Sequence, residues 1–92
     1  MIAHDTVIRA SDRTTSAQVH DERVILSLES GRYYSLNSVG VRVWELLQSP
    51  MTSDQLEQQL LLEYDVEPVA LRRDISQLLC ELEISELVVV GL

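Results

Sequence analysis

Cysteine occurs once in the chain, at position 80, so no intramolecular disulfide can form. In an apolar helical stretch such a lone residue reads as a small buried hydrophobe. Histidine occurs only at His4 and His20, which leaves no zinc-ligand spacing. Positive charge is scarce: seven Lys plus Arg stand against fifteen Asp plus Glu, for a net charge of −8 over 92 residues. A nucleic-acid binder needs a basic face to neutralise phosphates, so no nucleic-acid partner is expected. The same balance disfavours an anionic membrane surface, whereas a neutral or cationic partner is acceptable. No apolar run approaches the roughly 20 residues that cross a bilayer, and no basic-then-apolar signal opens the chain. A cytoplasmic protein is expected. Glycine appears as three scattered singles, Gly31, Gly40 and Gly91, with no phosphate-cradling loop and no cofactor implied. A nucleophile paired with a base is missing too, because both histidines lie in polar segments far upstream of Cys80. The acidic residues fall mostly on polar helix faces, and Ser27, Ser35 and Ser38 read first as strand and cap residues. The expectation is a non-enzyme.

What is present is a hydrophobic content of 46%, enough for one compact domain over residues 1–92. Residues 1–15 show little periodicity and read as either a loose arm or a covering strand. Residues 16–20 fit a short strand. Over residues 23–29 apolar and polar residues alternate, with Val24, Leu26 and Leu28 on one face and Ile25 and Ser27 on the other. Ser30-Gly31 supplies a turn, with Gly31 free to take positive φ, and residues 32–36 return as a third strand. Asn37 or Ser38 caps a helix over about 38–48 carrying Val39, Val43, Trp44 and Leu47, in which Gly40 allows a close approach. Thr52 to Gln55 is a capping box for a second helix reaching about residue 64, with Leu56, Leu60 and Leu61 as its stripe. Pro68 suits the first turn of a third helix, with Leu71, Ile75, Leu78, Leu79 and Leu82 at helical spacing. Residues 87–90 are β-prone. The predicted fold is therefore α+β: a three-stranded antiparallel sheet followed by three helices, in the order of a winged helix-turn-helix domain.

Such a sheet leaves residues 32–36 as an open edge, and open edges accept added peptide strands. Tyr33 and Tyr34 must point to opposite faces, one packing on the helices and one toward a ligand. The plainer reading makes both ordinary strand residues. Replacing each by Ala should separate the two roles, one substitution lowering stability and the other binding.

The segments Glu29-Ser30-Gly31-Arg32-Tyr33-Tyr34-Ser35-Leu36-Asn37, Val39-Gly40, Trp44-Glu45-Leu46-Leu47, Glu63-Tyr64-Asp65-Val66-Glu67-Pro68 and Arg73-Asp74-Ile75 resemble, in order and spacing, the PqqD-like family of precursor-peptide recognition domains. The resemblance spans roughly residues 16–90. It implies binding of a precursor's leader segment by strand addition to residues 32–36, in the cleft beside the third helix. The residues it implicates are Arg32, Tyr33, Tyr34, Ser35, Leu36, Arg72, Asp74, Ile75 and Leu79. Either flank of Ile75 could face the cleft: Leu71, Asp74 and Leu78, or Arg72, Ser76 and Leu79. Arg32, Arg72 and Arg73 would pair with acidic leader residues, and Asp74 with a leader hydroxyl. Ile75→Glu is expected to abolish binding. The hairpin looks most like the free-standing leader-binding proteins of lasso-peptide pathways, which implies a separate cysteine protease as leader peptidase, with a cyclase as a further partner. A PqqD-type chaperone in quinone-cofactor biosynthesis is the alternative within the family. Outside it stand a winged-helix regulator binding DNA or protein, and a subunit that pairs its tyrosine edge with a second copy. The regulator carries Arg72 and Arg73 on its third helix but also Asp74, Glu81, Glu83 and Glu86, against the charge DNA requires. One departure from the family is Ser85-Glu86, where a Gly C-cap is usual, so the third helix is expected to end differently.

Overall fold

The structure is a computed structural model that describes residues 3 and 5–91. Met1, Ile2 and His4, part of the 1–15 arm, and Leu92 lie outside the described residues. The elements run β1 (Val7–Ala10), β2 (Thr14–Val19), β3 (Glu22–Ser27), β4 (Tyr33–Leu36), α1 (Ser38–Leu46), β5 (Met51–Thr52), α2 (Ser53–Glu63), α3 (Pro68–Ile84) and β6 (Val88–Val90).

The expected meander is present: β2, β3 and β4 form an antiparallel sheet in that order, with β4 at its edge. The expectation of one sheet is corrected, because there are two. A second antiparallel sheet has the order β5-β1-β6. Ile8 pairs with Val90 on one side and Met51 on the other. The covering strand of the N-terminal segment is thus β1, and its own sequence could not announce partners so distant in the chain.

Alternation in β3 is as read, but the inward face is the less obvious one. Ile25 and Ser27 are buried, while Leu28 is 56% exposed. Val24, Leu26 and Tyr33 share the outer face of the sheet with Ala17. The inward face continues through Tyr34 and Leu36 on β4 onto the helices. Each helix contributes its stripe to one core: Val43, Trp44 and Leu47 from α1, Leu56 and Leu60 from α2, and Leu71, Ile75, Leu79 and Leu82 from α3. Leu61 is exposed, at 38%, and Val39 and Leu78 are only half-buried. Cys80 is half-buried rather than buried. No helix among the described residues is long and apolar enough to cross a membrane.

Local chemistry sets the helix ends. Asn37, not Ser38, caps α1 by accepting from the Gly40 amide at 2.9 Å. A Cβ on Gly40 would sit 3.0 Å from the Leu36 side chain, so the glycine lets β4 run close against α1. The Thr52–Gln55 capping box is complete, with hydrogen bonds of 3.1 and 2.9 Å in its two directions. At α3 the N-cap is Glu67, with Pro68 in the first turn.

The end of α3 corrects the expectation drawn from Ser85-Glu86. The Leu87 amide donates to the Leu82 carbonyl and the Glu86 amide to that of Glu83, the paired bonds that usually accompany a left-handed glycine. Glu86 occupies that position with φ of 58°. A side chain there is strained by about 1 kcal/mol. Glu86→Gly is therefore expected to raise stability by about 0.5–1 kcal/mol, after allowing for the freer unfolded chain. Urea denaturation checks this, with an unchanged slope and a shifted midpoint expected.

Candidate functional site

Beside β4 the inward face does not close. A groove of about 610 Å³ runs between β4 and α3. Its walls are Tyr34 to Asn37 on one side and Leu71, Asp74, Ile75 and Leu78 on the other. Val39 and Gly40 of α1 form part of it, and Tyr64, Val66, Glu67 and Ala70 line it around the α2–α3 connection. Two of these residues, Val39 and Leu78, belong to the helix stripes read as core, yet they are only half-buried. They face the groove instead of a neighbouring element.

The backbone of β4 borders this groove as an unpaired edge. Ser27 donates to the Arg32 carbonyl at 2.8 Å, which marks that opposed pair as hydrogen-bonded. Hydrogen-bonded pairs alternate along an antiparallel ladder. With Ile25 opposite Tyr34 and Arg23 opposite Leu36, the amides and carbonyls of Tyr34 and Leu36 point to β3. Those of Tyr33 and Ser35 point outward, where an added strand would meet them.

Three contacts hold β4 and its turn to the C-terminal part of α3. The Tyr34 hydroxyl donates to the Glu81 carboxylate. The Ser30 hydroxyl donates to the Ser85 carbonyl at 3.2 Å, and the Arg32 guanidinium to the Ile84 carbonyl at 3.1 Å. The last two satisfy carbonyls that the helix end leaves without intrahelical partners. On the other side of α3, Arg72 pairs at 2.8 Å with Glu57 of α2, a carboxylate only 8% exposed that also accepts from Ser53.

A protein family, described as coenzyme PQQ synthesis protein D, matches residues 22–88. The chain belongs to the PqqD family. Two solved structures share the fold. The first, TbiB1 in complex with the TbiA(beta) leader peptide, is 34% identical with a TM-score of 0.74, over 87% of this chain and 93% of the other. The second, a lasso peptide synthetase B1 complexed with the leader peptide, is 27% identical with a TM-score of 0.72, over 89% and 96%. No curated protein matches.

Within this PqqD-family chain, the groove gathers five of the nine residues singled out from sequence: Tyr34, Ser35, Leu36, Asp74 and Ile75. The flank of Ile75 that faces the groove is Leu71, Asp74 and Leu78. Leu79, on the other flank, is buried in the core at 1% exposure. Arg72 is engaged with Glu57, and Arg32 with the end of α3. Tyr33 is 70% exposed on the outer face and does not line the groove, although its backbone belongs to the open edge of β4. Asn37, Val39, Gly40, Tyr64, Val66, Glu67 and Ala70 also line the groove but were not singled out as site residues. For Leu71 and Leu78 the signal was present as one of two flanks. For the α2–α3 connection there was none, because its approach to β4 is a tertiary event.

Glu81 pushes the Tyr34 phenol up to about 12, first by accepting its hydrogen bond, then through burial and the negative charge of the carboxylate. A phenol whose pKa rises on folding stabilises the protein fully below its unfolded value near 10. That contribution is lost as pH rises from about 10 through about 12. Tyrosinate absorbance should show a late-titrating phenol, and Tyr34→Phe should remove that step and cost about 1 kcal/mol at neutral pH. An unchanged titration in the variant would show that Tyr34 is not tied to Glu81.

Proposed function

We propose that this chain is a non-catalytic adaptor that binds the leader segment of a ribosomally made precursor peptide. The carrying observation is the open backbone edge of β4 along an apolar groove, in a fold shared with two proteins solved with leader peptides. The leader adds as a strand against the outward amides and carbonyls of Tyr33 and Ser35, and main-chain bonds supply affinity. Alternate leader side chains enter the groove over Leu36, Leu71, Ile75 and Leu78, which supplies specificity. Arg32, Arg72 and Leu79 act in this reading by positioning β4 and α3, not by touching the leader.

The adaptor then delivers the leader to a separate peptidase, in the cytoplasm, as one recognition domain of a lasso-peptide pathway. The similarity to a lasso peptide synthetase B1 favours this over a quinone-cofactor chaperone. A winged-helix regulator would instead bind random DNA and release it steeply with salt, which the net charge of −8 disfavours.

The test is fluorescence anisotropy with a labelled leader from the precursor encoded beside this chain. Submicromolar binding is expected, and no binding at tens of micromolar by folded protein would end the reading. Ser35→Pro should fold, since it removes an amide facing the open edge, yet lose at least tenfold in affinity. Tyr34→Pro should unfold, since it removes an amide that bonds to β3. Ile75 is too buried for a clean test, at 2% exposure, because a carboxylate there would unfold the core. Half-buried Leu78→Glu is the better probe, expected to remain folded and lose binding. Full affinity in a folded Leu78→Glu variant would place the ligand elsewhere.

A further inference from the structure

The groove is apolar in its walls but one-signed in its charge. Among the described residues the acidic side chains lining it are Glu67 and Asp74, and no arginine lines it. Glu67 is already engaged, its carboxylate accepting from the Ala70 amide at 2.9 Å to cap α3. Asp74 is not. It lies on the groove flank of α3, one turn from both Leu71 and Leu78, with its side chain 70% exposed. Its one ion-pair partner among the described residues is Arg73, the adjacent helix residue, at 3.6 Å between two largely solvated side chains, a contact of little energetic weight. Of the arginines that the family resemblance implicated, Arg32 donates to the Ile84 carbonyl and Arg72 pairs with Glu57.

We infer that the groove selects a leader carrying a basic side chain opposite Asp74, flanked by apolar side chains that fill the space over Leu71 and Leu78. The inference rests on the leader-binding reading and names the chemistry of its ligand. It reverses the pairing of chain arginines with acidic leader residues that the family resemblance implied. A strand added to β4 points alternate side chains toward α3. The apolar ones lose water against the leucines, and the basic one keeps its head at the open mouth, where Asp74 receives it. Such a rim pair contributes mainly to encounter rate and partner choice, so it discriminates against acidic leaders more than it adds affinity.

The probe is the same labelled leader, with each Lys or Arg of the strand-adding segment replaced in turn by citrulline or glutamine. One replacement should weaken binding about three- to fivefold at low salt, and Asp74→Asn should weaken the unmodified leader equally. The two changes together should cost no more than either alone, and the loss should shrink as salt rises. Asp12→Asn, which removes a distant exposed charge on the β1–β2 connection, should leave affinity unchanged. Unaltered affinity and salt dependence in Asp74→Asn would overturn the inference while the adaptor reading stands. So would equal losses in Asp12→Asn, or a tight-binding segment with no basic residue. Failure of the wild-type chain to bind any leader would remove the adaptor reading itself, and this one with it.

Discussion

The groove stays open because α3 is fastened to the β3–β4 hairpin at one end. Tyr34, Ser30 and Arg32 reach Glu81, Ser85 and Ile84, all within the last turn and its cap. Each bond is worth about 1 kcal/mol, but their placement matters more than their sum. Two of them use carbonyls left over by the helix end, so hairpin and helix satisfy each other there. Toward the N-terminus of α3 the comparable tie among the described residues is Arg72 to Glu57, which holds the helix to α2 and not to the sheet. The strand and helix therefore part over Asp74, Leu71 and Glu67, and the apolar residues that would have met across the gap line it instead.

That arrangement makes the end of α3 sensitive out of proportion to its size. The helix stops at Ser85 through paired carbonyl bonds that force Glu86 into left-handed geometry. The stop aims Leu87 and Val88 into the core and sends β6 alongside β1. A helix running one turn further would take up the Ile84 and Ser85 carbonyls in its own intrahelical bonds, and the hairpin would lose those two anchors. The strain at Glu86 is tolerated because both sheets depend on where this helix ends.

Much of this was legible in the sequence where the controlling interactions are local. The Thr52–Gln55 box, Pro68 in the first turn, the Ser30-Gly31 turn and the alternation of β3 are short-range devices, and the structure contains each of them. Asn37 and Ser38 were two candidates for one cap, and only the bond to Gly40 separates them. The second sheet was not legible, because Val7–Ala10 acquires strand identity from Val88–Val90 and Met51–Thr52, contacts across most of the chain. The site divides the same way. Strand β4 could be named from its own residues, but the flank of Ile75 facing it is set by how α3 rolls on α2. Glu57 settles that by drawing Arg72 away from β4.

An open strand edge is a hazard as well as a site, since it pairs as readily with a second copy as with a ligand. Tyr33, 70% exposed beside Val24 and Leu26 on the outer face, adds to the hazard. Charge works against self-pairing. Two copies each carrying −8 repel on approach, and Glu22, beside the edge and accepting from the Ser35 hydroxyl, brings part of that charge to β4 itself. A peptide strand without that excess of negative charge meets no such barrier. The scarcity of positive charge that disfavours nucleic-acid binding thus also disfavours self-pairing, and leaves the β4 edge available to a strand of different charge.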